Sequence, residues 1–231
     1  MIVIPTYNEK DNITELVEKI FALQIPNLAV LFVDDNSPDG TAIVIKELQK
    51  KYPICLVERA KKFGLGSAYL EGFRQVLALG AEYIFEMDAD LSHDPADIPR
   101  LLEACQQGAD LVIGSRRVPG GKIIGWSAWR HFTSNGAMWF SRLFLKLKAR
   151  DVTAGFRCFR RAVLEKIDLD DIKSNGYAFQ EELLYKTQKT GFNILEVPVI
   201  FNDRRKGKSK LSKKDIWEFF LIIFKLKYGR K

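Results

Sequence analysis

Five short apolar runs, each separated from the next by an amphipathic segment, dominate the first half of the chain. The runs are Ile2–Ile4, Ala29–Val33, Ile54–Val57, Tyr83–Met87 and Leu111–Ile113. Helical patterns at 11–23, 40–51, 66–79 and 96–107 lie between them. Strands that are apolar along their whole length are buried on both faces, as in parallel sheets, whose strands need helical crossovers. The spacing therefore predicts an α/β fold, a mostly parallel sheet flanked by helices. In such sheets ligands bind beyond the carboxyl ends of the strands. The polar clusters fall there: PTYNE after the first run, DDNSPDG after the second, DADLS after the fourth and GSRR after the fifth.

The second half changes character. Residues 123–149 read as helical and amphipathic, and 155–161 (GFRCFRR) as a strand. A helix is expected at 177–190, a strand at 193–201, then a basic loop and an aromatic helix at 212–228. With 231 residues, 47% of them apolar and 28% charged, the chain suits one globular domain with a sizeable core. No internal repeat or low-complexity linker divides it.

Several function classes drop out. Cys55, Cys105 and Cys158 are far apart, with no C-x-x-C, which argues against a zinc site or disulfide framework and for a reducing compartment. His93 and His131 are the only histidines, too few for a His-based metal cage and a poor basis for a Ser-His-Asp triad. The opening MIVIP has no basic n-region, which predicts no signal peptide. No acid-free apolar run approaches the length of a spanning helix. The net charge of +7 is uneven: from Asp203 to Lys231 eleven Lys/Arg face three Asp/Glu, so residues 1–202 stand at −1. The basic surplus belongs to the tail and points to a local anionic partner. No nucleic-acid reader motif accompanies it, so no nucleic acid is expected.

The pair Asp88 and Asp90 in FEMDADLSHDP raises the sharpest question. Like charges that close repel, and a buried carboxylate is costly unless paired or bound to a cation. Residues i and i+2 of an extended backbone face the same way, so both carboxylates can reach one hard cation. Asp-x-Asp alone is a weak signal, and Asp168–Asp170 is a second copy, which follows a helical segment and reads as a solvated turn. The first copy follows a strand, on the rim that carries three other polar loops.

In VDDNSPDG, Asp34, Asp35 and Asp39 suit either turn and capping chemistry or contact with a ribose or base edge. GLGSAY (64–69) has Tyr69 where the third glycine of a dinucleotide fingerprint belongs and follows no strand; that reading fails, while a helix N-terminus near a phosphate stays open. RRKGKSK (204–210) joins an apolar strand to an aromatic helix and could close over a diphosphate. All four tryptophans, Trp126, Trp129, Trp139 and Trp217, fall in the two amphipathic segments. Lys and Arg accompany them, which suits the lipid headgroup level.

PTYNE, VDDNSPDGT, DADLSHDP, GSR, DVTAGFRCFRR, GYAFQEEL and FxxRxxGxSKL occur in that order. Together they resemble the dolichol-phosphate (polyprenol-phosphate) mannosyltransferases, inverting GT-A-type enzymes of glycosyltransferase family 2. The resemblance runs from Pro5 to about Leu211. It implies a GT-A domain over 1–211, with 123–149 inserted as interface helices, and a C-terminal interface helix over 212–231. It also implies transfer of mannose from GDP-mannose to a polyprenyl phosphate, with another donor such as UDP-glucose as the alternative. A non-catalytic, basic membrane-binding protein is the distant alternative.

By position, the resemblance puts Pro5, Tyr7, Glu9, Val33 and Asp35 on the guanosine. Asp88, Ala89 and Asp90 take the metal, diphosphate and sugar, and Gln180 and Glu181 the sugar side. Arg204 and Lys210 belong to the lid on the diphosphate. Arg116, Arg130 and Ser134 receive the acceptor phosphate. The implied cofactor is Mg2+ or Mn2+, held by Asp88, Asp90 and Ser92. Some relatives read DADLQ, with Gln as a metal ligand; Ser92 stands there in this chain, and a hydroxyl can replace an amide oxygen. Some members continue into transmembrane helices. Here the two interface helices, a small anchoring partner or a further segment would hold the protein at the cytoplasmic face of a membrane.

Overall fold

The computed structural model describes residues 1–176, 178–203 and 213–228, with the side chains of 213–218 left aside. The apolar runs become strands β1 (Ile2–Thr6), β2 (Val30–Asp34), β3 (Ile54–Glu58), β4 (Tyr83–Glu86) and β5 (Leu111–Ser115). Helices α1 (Lys10–Phe21), α2 (Thr41–Leu48), α3 (Leu65–Ala78) and α4 (Ile98–Gln106) separate them. Beyond β5 come β6 (Lys122–Ile124), α5 (Ala128–Leu145), β7 (Arg157–Arg160) and α6 (Arg161–Lys166). The chain continues through α7 (Ala178–Lys189), β8 (Ile194–Pro198), β9 (Ile200–Asn202) and α8 (Lys213–Tyr228).

Seven strands form one sheet in the order β3-β2-β1-β4-β7-β5-β8. Every pairing is parallel except those of β7, which runs antiparallel to both β4 and β5. The reversal has a consequence for function. Because Glu86 pairs with Arg157, β7 begins at the rim where β4 ends. The segment leading into β7 therefore lies beside Asp88. Two apolar clusters cover the two faces. One holds Val3, Tyr69, Phe73, Phe159 and Phe179; the other holds Ile4, Ile13, Phe32, Ile98 and Phe156. The helix α3 sits so close to the sheet that a Cβ added at Gly72 would stand 2.3 Å from Val3 Cγ1, so only glycine fits.

Two sequence expectations need correction. The segment 123–149 is not helical throughout: Lys122–Ile124 is a strand, and the helix starts at Ala128. Gly125 adopts a left-handed φ of 91°, which turns the chain, and the Ser127 side chain caps the helix by accepting from Arg130 N. The expected strand at 193–201 is likewise two strands. β8 belongs to the large sheet, whereas β9 pairs in parallel with β6 in a small second sheet. Val199, between them, donates to Ser115 O and accepts from Lys122 N, switching partner at that residue. The helix α8 docks on the large fold, with Phe219, Ile222 and Ile223 in its core. Among the described residues, no helix is long and apolar enough to cross a membrane.

Candidate active site

A cavity of about 320 Å³ opens beyond the carboxyl ends of β1, β2 and β4. Pro5, Thr6, Tyr7 and Glu9 line one side, Asp35 the back, and Asp88, Ala89 and Asp90 another side. Lys62, Gly64, Leu65 and Ala68 come from the α3 entry, with Asn175 and Gly176 closing over it. Thus Pro5, Tyr7, Glu9, Asp35, Asp88, Ala89 and Asp90, each expected here, share one space. Val33 does not join them; its side chain is fully buried against α3.

The three acidic residues after β2 separate by role. Asp34 accepts from Thr6 Oγ1 at 2.7 Å and from Ser37 N and Oγ at 2.8 and 2.6 Å. Asp39 accepts from Thr41 N and Oγ1 and from Lys10 N. Both therefore serve turn chemistry. Asp35 pairs with Arg59 at 2.7 Å and accepts from Phe63 N and Gly64 N, which draws the 59–64 loop onto the cavity. Lys62 lies over the Tyr7 ring at 3.8 Å. This loop escaped sequence reasoning except as a helix N-terminus left open for a phosphate.

The Asp88–Ser92 turn is built to present oxygen atoms. Leu91 is left-handed, with φ 61°, and Asp90 Oδ1 accepts from Ser92 N at 3.0 Å. The buried Ser92 hydroxyl has no hydrogen-bond partner among the described residues. Two carboxylates and an unengaged hydroxyl are a hard, oxygen-only donor set, which suits Mg2+ or Mn2+ and not a soft metal. Tyr69 Oη lies 3.3 Å from Asp88 Oδ1; burial, then the Asp88 charge, push the phenol pKa well up, so it stays protonated and can donate. A Cβ added at Gly155 would stand 3.6 Å from Asp88 Oδ2 and 3.7 Å from Gln180 Nε2, so Gln180 reaches the same point.

Beneath this turn lies a buried ionic layer. Arg157 is fully buried and donates to Ala154 O, Gln180 O and Val152 O at 2.9–3.0 Å, with Glu86 3.9 Å away. Burial pushes the Glu86 and Glu181 carboxyls up to about 8, against the opposing attraction of Arg157. Burial also holds the His93 imidazole down at about 4, so this ring is neutral.

The second group of expected residues lies around the β5 end. Arg116 is buried and makes bonds to Asp151 of 2.7 and 2.6 Å, with a third to Thr153 Oγ1 at 2.8 Å. Burial alone would lower its pKa; the Asp151 charge more than offsets this. Arg130 Nη1 lies 2.9 Å from both Asp203 oxygens, and its guanidinium covers the Trp126 ring at 4.2 Å. Ser134 accepts from Arg117 at 3.5 Å, which adds a third arginine that the sequence analysis did not single out. Arg204 and Lys210, on the loop expected to act as a lid, lie outside the described residues.

The tryptophans divide. Trp129 and Trp139 are 72% and 66% exposed and, with Phe132 at 70%, cover the outside of α5. Trp126 instead turns inward against Phe201 and His131, a correction to its placement at a headgroup surface. The side chain of Trp217 is outside the described set.

The Glycosyl transferase family 2 model matches residues 1–168. The chain belongs to glycosyltransferase family 2. It is 44% identical to the polyprenol monophosphomannose synthase of Mycolicibacterium smegmatis, over 94% of this chain and 83% of that one. It is also 44% identical to the undecaprenyl-phosphate mannosyltransferase of Micrococcus luteus, over 91% and 86%. The dolichol-phosphate mannosyltransferase of Pyrococcus furiosus is 41% identical over 97% of this chain, which spans 62% of that longer protein. Among solved structures, glucosyl-3-phosphoglycerate synthase from Mycobacterium tuberculosis superposes with a TM-score of 0.72 at 17% identity. That match covers 100% of this chain and 80% of the synthase. It shows the GT-A-like fold expected from the sequence; crystals of that synthase contain UDP-glucose with Mn2+ or UDP with Mg2+.

Proposed function

We propose that this glycosyltransferase moves mannose from GDP-mannose to a polyprenyl phosphate, with inversion, giving a β-mannosyl phosphoryl lipid. The observation that carries the reading is the division of charge along one rim: a carboxylate-lined cavity beside three arginines. A nucleotide-sugar diphosphate needs a cation between itself and Asp88/Asp90, whereas a lipid phosphate needs arginine. The mannosyltransferase names of relatives at 41–44% identity support the sugar and the lipid class.

Pro5, Tyr7, Glu9 and Asp35 would face the guanosine. Asp88, Asp90 and Ser92 would hold Mg2+ or Mn2+, which when bound offsets the charge of the departing diphosphate. Gln180, beside Asp88, would orient the sugar, with Glu181 behind it. Arg204 and Lys210 remain assigned to the diphosphate lid. Arg116, Arg130 and Ser134 would receive the acceptor phosphate. A phosphomonoester has a second pKa of about 6, so at neutral pH it is already largely dianionic and needs no general base. The surroundings agree: His93 is buried between aromatic rings and His131 packs at a tilt against Trp126. The task left to the protein is electrostatic, to bring one anion up to another, and oriented arginines supply it.

The exposed aromatic face of α5 continues onto α8 through Phe220, Leu221, Phe224 and Tyr228, with Lys225 and Lys227 nearby. Such a face suits the headgroup level at the cytoplasmic side of a membrane, where the acceptor resides, with or without a small anchoring partner. The test is transfer of labelled sugar into the lipid phase from GDP-mannose and, in parallel, UDP-glucose, each with and without chelator. Chelator-sensitive label from GDP-mannose alone supports the reading. Label from UDP-glucose alone would change the donor, and label from neither would remove the reaction.

A further inference from the structure

Between the Asp88–Ser92 turn and the arginines stands one ring. Phe201, on β9, is nearly buried. Its ring packs edge-on against His93 at 5.5 Å on one side and against Trp126 at 5.9 Å on the other. His93 in turn stacks on Phe156 at 5.1 Å, and its Nδ1 faces Asp88 N at 3.5 Å. On the arginine side, the Arg116 guanidinium lies 5.3 Å from the Phe201 ring centre and 5.8 Å from that of Trp126. The backbone repeats the connection: Asn202 N donates to Ser92 O at 3.1 Å, and Asp203, the next residue, holds Arg130. The last residue of this short strand, Asn202, thus touches the carboxylate turn, and Asp203, just beyond it, touches Arg130.

We propose that Phe201, backed by Trp126, is a positioning residue that sets the two arginines at a fixed distance from the Asp88–Ser92 turn. The inference rests on the reading of those arginines as acceptor ligands. Its physical basis is that a guanidinium over an aromatic face is held in direction as well as place, by about 0.5–2 kcal/mol per contact. An aliphatic side chain of similar volume fills the same space but removes that contact, leaving Arg116 to its bonds with Asp151 and Thr153 alone. In-line transfer depends on such alignment, and small misplacements of a reactant carry large rate penalties.

The experiment compares Phe201→Leu and Phe201→Tyr in the full chain. GDP with Mn2+ and farnesyl phosphate serve as separate binding probes, and kcat is read at saturation of donor and acceptor. The expected result for Phe201→Leu is a kcat lower by about tenfold and weaker farnesyl phosphate binding, with the affinity for GDP within about twofold. Phe201→Tyr, which keeps the aromatic face, should recover most of both. Wild-type kcat and binding in Phe201→Leu would overturn the proposal, as would equal impairment in both variants. If Phe201→Leu fails to fold by circular dichroism, Trp126→Leu poses the same question from the less buried end of the column. Arg130→Ala is the separate control: unchanged farnesyl phosphate affinity there would sink the acceptor reading itself, whatever Phe201 does.

Discussion

The carboxylate side and the arginine side of the rim are built in opposite ways. On the carboxylate side, Asp34, Asp39 and Asp90 each have a partner within three residues, beside longer links such as Thr6 to Asp34 and Arg59 to Asp35. Asp34 is satisfied by Ser37, Asp39 by Thr41, and Asp90 by Ser92. On the arginine side the partners are distant: Arg116 meets Asp151, 35 residues on, and Arg130 meets Asp203, 73 residues on. Local turns hold the first region in shape before any ligand arrives. The second is held by ion pairs whose cations are the very groups an anionic acceptor would need. A dianionic phosphate at Arg130 would share it with, or take it from, Asp203, so on the proposed reading acceptor affinity would include the cost of that exchange.

The largest effect should come from the carboxylate side. Asp90→Ala is expected to lower transfer by at least about a hundredfold, because on the proposed reading the charge of the departing diphosphate would lose its counterweight. Its thermal midpoint should stay near that of the wild type. Retained activity in a folded variant would remove Asp90 from the site.

The arginine side should split. Arg116→Ala leaves Asp151 buried without its partner and should cost about 3–5 kcal/mol in denaturant unfolding. Arg130→Ala breaks a pair that is about one-third exposed and should cost at most about 1 kcal/mol, while weakening the lipid acceptor far more than the nucleotide. Equal stability losses in the two variants would erase the distinction between the buried and the open arginine.

A third prediction concerns the layer beneath both sides. The folded pKa of Glu181 is raised from 4.5 to about 8, so the folded state holds a proton that the unfolded state releases. Its contribution to stability is complete below pH 4.5 and is lost as pH rises through about 8. Glu181→Gln should therefore flatten the fall in thermal midpoint between pH 5 and pH 9, read by calorimetry. An unchanged slope would mean that this carboxyl ionises normally in the fold.

The smallest effect belongs to the turns. Asp39→Ala should cost roughly 1 kcal/mol by losing its hydrogen bonds and leave GDP affinity unchanged. A large drop in GDP affinity would move Asp39 from turn chemistry to the cavity.

The same contrast explains what the sequence reveals. The parallel order β3-β2-β1-β4 and the cavity wall of Pro5, Tyr7, Glu9, Asp35, Asp88 and Asp90 follow from apolar runs and the polar loops that close them. Both depend on short-range pattern. The antiparallel β7, the division of 193–201 into two strands and the inward turn of Trp126 depend on contacts across the fold. An aromatic residue on an amphipathic segment reads the same whether it meets lipid or Phe201. Asp151 and Asp203 carried no mark of their arginine partners, because nothing in spacing alone joins residues that far apart. Lys62 and Asn175 entered the cavity wall only once α3 and the α7 entry were folded against it.

The most direct test of the divided rim is a crossed binding measurement. Calorimetry would give the affinities of GDP with Mn2+ and of farnesyl phosphate for Asp90→Ala and Arg130→Ala. The account predicts that Asp90→Ala loses GDP and keeps the lipid phosphate, and that Arg130→Ala does the reverse. Parallel loss of both ligands in either folded variant would contradict it.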